Sequence, residues 1–160
     1  MNMRVVLMSD SHDNLPALQR AVDFCNQQQA DEVLHAGDLV APFVSRVLKN
    51  LLAPLTIVFG NNDGERNGLR QVFREKIFEP PHEIVLDGRK VLMLHDPILL
   101  DALAASKRYD LILHGHIHEI KIVKQPTLIV NPGEVGGWLT GKSTVAVWDT
   151  QSDKVEIIKV

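Results

Sequence analysis

The chain has 160 residues, 45% of them hydrophobic, which suits one domain with a sizeable core. Its net charge of −3 argues against a broad basic surface for duplex nucleic acid or an anionic membrane. The single cysteine, Cys25, excludes an internal disulfide and a cysteine-based zinc site, and it suits a reducing, cytoplasmic setting.

The apolar stretch before Asp10 is too short for a signal-peptide core, and no segment approaches a membrane span. RVVLM (4–8) reads as a strand. Residues 14–28 read as a helix, with Leu15, Leu18, Ala21, Val22 and Cys25 at helical spacing and Asp13 available as a cap. EVLH (32–35) is a second strand. A second helix is expected to begin near Pro42, with Phe43, Val47, Leu48 and Leu51 on one face. TIVF (56–59) is a third strand. Beyond it the pattern turns towards hairpins: Asp87-Gly88 separates two apolar runs in EIVLDGRKVLML (83–94). A short helix is expected over 98–106, and residues 120–130 and 143–160 look like antiparallel pairs. Strand–helix units succeeded by hairpins suggest an α/β fold, with a mixed sheet or two packed sheets and helices outside. No repeat or linker marks a boundary, so 1–160 reads as a single domain.

The polar residues just past each apolar run are more informative. RVVLM leads to Asp10 and His12; EVLH to Asp38; TIVF to Asn61, Asn62 and Asp63; VLML to His95 and Asp96; LIL to His114, His116 and His118. Gly37, Gly60 and Gly115 stand beside them, where the backbone is expected to turn tightly. In open α/β sheets the carboxyl ends of strands form the crevice in which ligands bind. Each motif alone is ordinary cap or turn chemistry. Together they gather several imidazoles and carboxylates at one sheet edge, which turn chemistry does not explain. Carboxylate, imidazole and amide donors without thiolate suit Mn²⁺, Fe²⁺, Co²⁺, Ni²⁺ or Zn²⁺. There are too many donors for one tetrahedral site, and about enough for two ions sharing a carboxylate.

The ordered series DSH, GD, GNND, H and GHIH resembles the calcineurin-like binuclear metallophosphoesterases, and most closely their small, core-only phosphodiesterase branch. The segment NPGEVGGWLTGK (131–142) resembles that branch's NPG-containing loop. The resemblance implies a four-layer α-β-β-α sandwich of two mixed sheets flanked by helices. It also implies phosphodiester hydrolysis by a hydroxide bridging two divalent metal ions, with Mn²⁺ expected first and Ni²⁺, Fe²⁺, Co²⁺ or Zn²⁺ as alternatives. By the same resemblance Asp10, His12 and His118 hold one ion, Asn61, His95 and His116 hold the other, and Asp38 bridges them. Asn61 also helps to orient the phosphoryl group. His114 falls outside the ligand pattern and reads as a strand-end residue or one supporting the site. His35 has the same two readings, and Asp63 and Asp96 read as supporting residues or as plain turn residues. Many family members carry a proton-donating histidine where this chain has Asn62, and an amide is no general acid near neutral pH. Esters whose leaving group departs without protonation are therefore expected, and Glu134 or His114 is the acid to test if the leaving group is poor. Asn62, Glu134 and Trp138 are candidates for the substrate pocket, and Trp138 alternatively for a contact between copies of the chain.

The expected partner is a small phosphodiester. A nuclease acting on single strands is the second enzymatic reading, disfavoured by the acidic balance and the lack of interleaved aromatic and basic residues. A non-catalytic protein-binding scaffold is the third, because the same fold serves as a subunit of the retromer coat and fold does not settle function.

Overall fold

The structure, a computed structural model, describes residues 2–160. The first sheet is built from β1 (Arg4–Met8), β2 (Glu32–His35), β3 (Leu55–Val58), β4 (Ile77–Phe78), β10 (Thr144–Asp149) and β11 (Val155–Lys159). The second contains β5 (His82–Leu86), β6 (Arg89–Met93), β7 (Leu111–Leu113), β8 (Ile120–Val123) and β9 (Leu128–Pro132). Their orders are β11-β10-β1-β2-β3-β4 and β5-β6-β7-β9-β8. In the first sheet β1 to β4 run parallel, β10 pairs antiparallel with β1, and β11 pairs antiparallel with β10. In the second, β6, β7 and β9 are parallel and the edge strands β5 and β8 are antiparallel.

Strands buried on both faces read as continuous apolar runs, because alternate side chains serve different layers. In β1, Val6 and Met8 pack with Leu18 and Val22 of α1 (Leu15–Gln27). Val5 and Leu7 face the other way, against Met93, Leu113 and Trp148 between the sheets. On the far side, Leu92, Ile112 and Ile129 pack against Leu100 and Ala104 of α4 (Leu100–Ala105). Helix, sheet, sheet and helix are the four expected layers. No helix among the described residues is long and apolar enough to cross a membrane.

Several local expectations change. Asn14 caps α1 by accepting from the Ala17 N–H, while Asp13 accepts from the Ala41 N–H instead. Pro42 opens only a 3₁₀ turn, Pro42–Val44, which runs into the four-residue α2 (Ser45–Leu48). With three residues per turn, Val44 comes onto the same side as Val47. Val44 is buried, and Phe43 is 42% exposed rather than on the core face. α3 (Arg66–Phe73) and β4 arise where no element was expected. The hairpin is present, with Asp87 and Gly88 at φ +50 and +77, the type I′ geometry.

Candidate metal centre

The parallel strands β1, β2, β3, β6 and β7 all end at one rim of the sandwich, and the loops leaving them carry the candidate ligands. The backbone there is unusual. Asp10, His12, Asp38, His116 and His118 all have φ between +41 and +73. This left-handed region is uncommon for residues with a Cβ, and it concentrates where surrounding contacts over-determine the chain. Of the neighbouring glycines, Gly37 meets the expected tight turn, at φ +98. Gly60 and Gly115 serve close approach instead. A Cβ on Gly60 would lie 2.1 Å from Asp38 Oδ1, and one on Gly115 would lie 1.9 Å from Ser9 Oγ.

The seven residues expected as ligands come together. Asp10, His12 and His118 form one group able to hold a cation, and Asp10, Asp38 and His95 form a second. His12 Nε2 is 3.6 Å from Asp10 Oδ1 and 3.3 Å from Asp38 Oδ2. His118 Nε2 is 3.5 Å from Asp10 Oδ1, and His95 Nε2 is 3.3 Å from Asp38 Oδ2. Asn61 Oδ1 lies 2.8 Å from His95 Nε2 and 3.0 Å from His116 Nδ1.

These donors fit divalent ions. Asp10 Oδ1 and His12 Nε2 are buried without a hydrogen-bond partner, an arrangement that costs free energy unless a cation satisfies it. His95 makes the same point. The Ala36 carbonyl, 2.7 Å from Nδ1, can only accept, so Nδ1 carries the proton of a neutral ring. Nε2 then turns a lone pair towards the oxygens of Asn61 and Asp38. A cation between them removes that repulsion.

The electrostatics agree. The carboxylates of Asp10 and then Asp38 raise the His12 imidazole to about 10. Burial opposes the charge of Asp10, yet His12 and Ser9 hold its carboxyl below the ordinary range. Asp38 is likewise opposed by burial and still held well below that range, first by His12. Cys25 plays no part: it is buried on α1, and desolvation pushes its thiol up to about 12.

The supporting residues sort themselves by contact. His35 is buried and bonds Ser11 Oγ at 3.1 Å and the Gly37 N–H at 3.1 Å. Burial pushes its imidazole down to about 4. Asp63 accepts the N–H groups of Gly60, Asp38 and Val40 at 2.6, 3.0 and 2.7 Å, fastening the two loops that carry Asp38 and Asn61. Asn62 is exposed and donates to Asp38 through both its backbone N–H and its side chain, each at 2.8 Å. Trp138 is 64% exposed at the rim, its indole N–H on the His12 carbonyl at 3.1 Å.

Three expectations are corrected. Asp96 is exposed and does not orient His95, because the Ala36 carbonyl occupies that place. His114 is buried, and its hydrogen bond goes to the Gly115 carbonyl rather than to a candidate ligand. Glu134 lines no open pocket: it is fully buried, with its carboxylate on His118 and on the backbone at 139–140. Sequence reasoning missed Ser9, whose hydroxyl and the His116 N–H both bond Asp10 Oδ2. It also missed Arg66, which bonds the Gly60 carbonyl and lies over the Phe59 ring. The hydroxyl beside Asp10 was the one available signal for Ser9.

A model of the calcineurin-like phosphoesterase superfamily domain matches residues 3–153. Phosphodiesterase MJ0936 of Methanocaldococcus jannaschii is 34% identical over 157 residues, 93% of this chain and 94% of the relative. A solved archaeal phosphodiesterase superposes with a TM-score of 0.91 at 32% identity, over 99% of this chain and 100% of the other. Yfce, a phosphoesterase from E. coli, shares the fold with a TM-score of 0.71 at 18% identity, over 98% of each chain. Fold, donor set and family match together define a metal-dependent phosphoesterase class of protein. The chain belongs to the calcineurin-like phosphoesterase superfamily.

Proposed function

We propose that the protein is a metal-dependent phosphodiesterase acting on small diesters at a two-ion centre. The observation that carries the reading is the pair of donor groups that share Asp10, with Asp38 Oδ2 3.3 Å from both His12 and His95 and with Asp10 Oδ1 and His12 Nε2 buried and unpartnered. Asp10, His12 and His118 would hold one ion, Asn61, His95 and His116 the other, and Asp38 would serve both. When bound, two divalent ions supply Lewis acidity towards the phosphoryl oxygens and an acidified water as nucleophile. The chain's own residues supply position and field, which dominate phosphoryl transfer.

Asn61 turns its Oδ1 to His95 and His116 and keeps its amide N–H groups for a phosphoryl oxygen. Asn62 donates to Asp38 and so orients the shared carboxylate rather than protonating anything. Glu134 and His114 are buried and bonded elsewhere, so neither is placed as an acid for a departing alcohol. Diesters with leaving groups that depart unprotonated are the substrates this arrangement favours. The donor set, lacking thiolate, suits Mn²⁺, Ni²⁺, Fe²⁺, Co²⁺ or Zn²⁺, and the family resemblance puts Mn²⁺ first. The diesterase names of the two relatives above 30% identity support the substrate class.

The test is hydrolysis of bis(p-nitrophenyl) phosphate and p-nitrophenyl phosphate by metal-stripped protein, with Mn²⁺, Ni²⁺, Zn²⁺ and Mg²⁺ restored in turn. Diester cleavage is expected to return with metal, to exceed monoester cleavage, and to fall at least about 100-fold in Asp38→Asn, the loss of one transition-state electrostatic contact. Preference for the monoester removes the leaving-group reading. A single-stranded oligonucleotide cleaved faster than the diester replaces small diesters by nucleic acid. Folded protein without turnover on any of these moves the chain to the scaffold reading.

A further inference from the structure

Glu134 is a buried carboxylate for which the proposed chemistry has no use, and its surroundings are specific. Oε1 takes three donors: the N–H groups of Leu139 and Thr140 at 2.9 and 2.6 Å and the Thr140 hydroxyl at 2.8 Å. Oε2 faces His118 Nδ1 at 2.7 Å. A carboxylate so occupied can only accept, so the proton between them sits on Nδ1. Nε2 of a neutral ring is then a lone pair, directed at Asp10 Oδ1 3.5 Å away. His95 is oriented in the same way by the neutral Ala36 carbonyl. His118 has a charged acceptor in that place, Glu134.

We propose that Glu134 is a positioning residue that locks His118 as its Nδ1–H tautomer and aims Nε2 at the ion shared with Asp10 and His12. This rests on the metal-binding reading above. The alternative role is purely structural, because the same carboxylate anchors the loop at 138–140, whose Trp138 reaches the His12 carbonyl. Two variants separate the roles. Glu134→Gln keeps an oxygen for Leu139 and Thr140 but sets an amide donor against His118, which favours the Nε2–H tautomer. Thr140→Val removes a loop contact and leaves the pair with His118 intact.

Calorimetric titration of metal-stripped protein with Zn²⁺, together with nitrogen NMR of the zinc-loaded wild type, provides the test. In the wild type Nδ1 of His118 should carry the proton and Nε2 the metal. Glu134→Gln should raise the Kd of one of the two ions by about 10–100-fold and leave the other unchanged. Thr140→Val should leave both unchanged. Metal on Nδ1 in the wild type overturns the proposal, as does a Glu134→Gln variant with unaltered affinity or a Thr140→Val variant that weakens binding equally. If Glu134→Gln does not fold, the wild-type spectrum decides alone. Wild-type protein that binds no zinc overturns the metal-binding reading as well, whereas zinc bound through the wrong nitrogen removes only the role of Glu134.

Discussion

At the scale of the residue, the centre is organised by small choices of which atom faces where. Ser9 and the His116 N–H occupy Oδ2 of Asp10, so Oδ1 is left for the imidazoles. His35 shows how such choices enter stability. Its Nδ1 accepts from Gly37, so only a neutral ring can donate from Nε2 to Ser11. Protonation sets a donor against a donor in a fully buried place, which matches a pKa of about 4, lowered first by desolvation. The unfolded chain binds that proton near 6.5, so between the two values it holds more protons than the folded chain. The contribution of His35 is therefore complete above pH 6.5 and is lost as pH falls towards 4. His12, raised by its carboxylates, acts in the opposite direction in metal-free protein, so wild type and variant are compared. Urea unfolding of His35→Gln is expected to lose less stability between pH 7 and 5 than wild type. Equal losses remove His35 as the titrating group.

The gathering of Asp10, His12, Asp38, Asn61, His95, His116 and His118 was legible because their residue types recur after successive apolar runs. Two of the groups that orient them were not. The Ala36 carbonyl carries no sequence signal, and Glu134 meets His118 only because the chain between them turns back through β8 and β9.

At the scale of the element, periodicity located strands well and short helices poorly. A run such as VVL or LIL identifies a strand buried on both faces, but it does not say which residue faces which layer. α2 failed as a prediction because its single α turn is preceded by a 3₁₀ turn that resets the facing residues. α3 was missed because it buries only Leu69 and Phe73 and carries Gly68 in its interior. Contacts between layers fall to particular strands, and Trp148 of β10 is the largest side chain fully buried between the sheets. Trp148→Ala is expected to cost about 3–5 kcal/mol in urea unfolding, through lost burial and the cavity left behind. A cost below about 1 kcal/mol, the size of a surface change, means that β10 does not help to hold the sheets together.

At the scale of the whole molecule, two sheets sharing one inner core bring five strand ends to a common rim. The loops at that rim are tied to each other rather than to a lid. Asp63 joins the Asp38 and Asn61 loops, and the segment 134–138 bonds along Ser9 to His12. Loops tied together this way hold the candidate ligands in place, and pre-organised sites spend little binding free energy on rearrangement. The measurement that bears most directly on this account is anomalous diffraction from crystals of the protein soaked in Mn²⁺. Two peaks about 3.5–4 Å apart, flanking the Asp38 carboxylate, are the predicted result. A single peak, or ions bound away from Asp38 with the rim left empty, contradicts the two-ion centre.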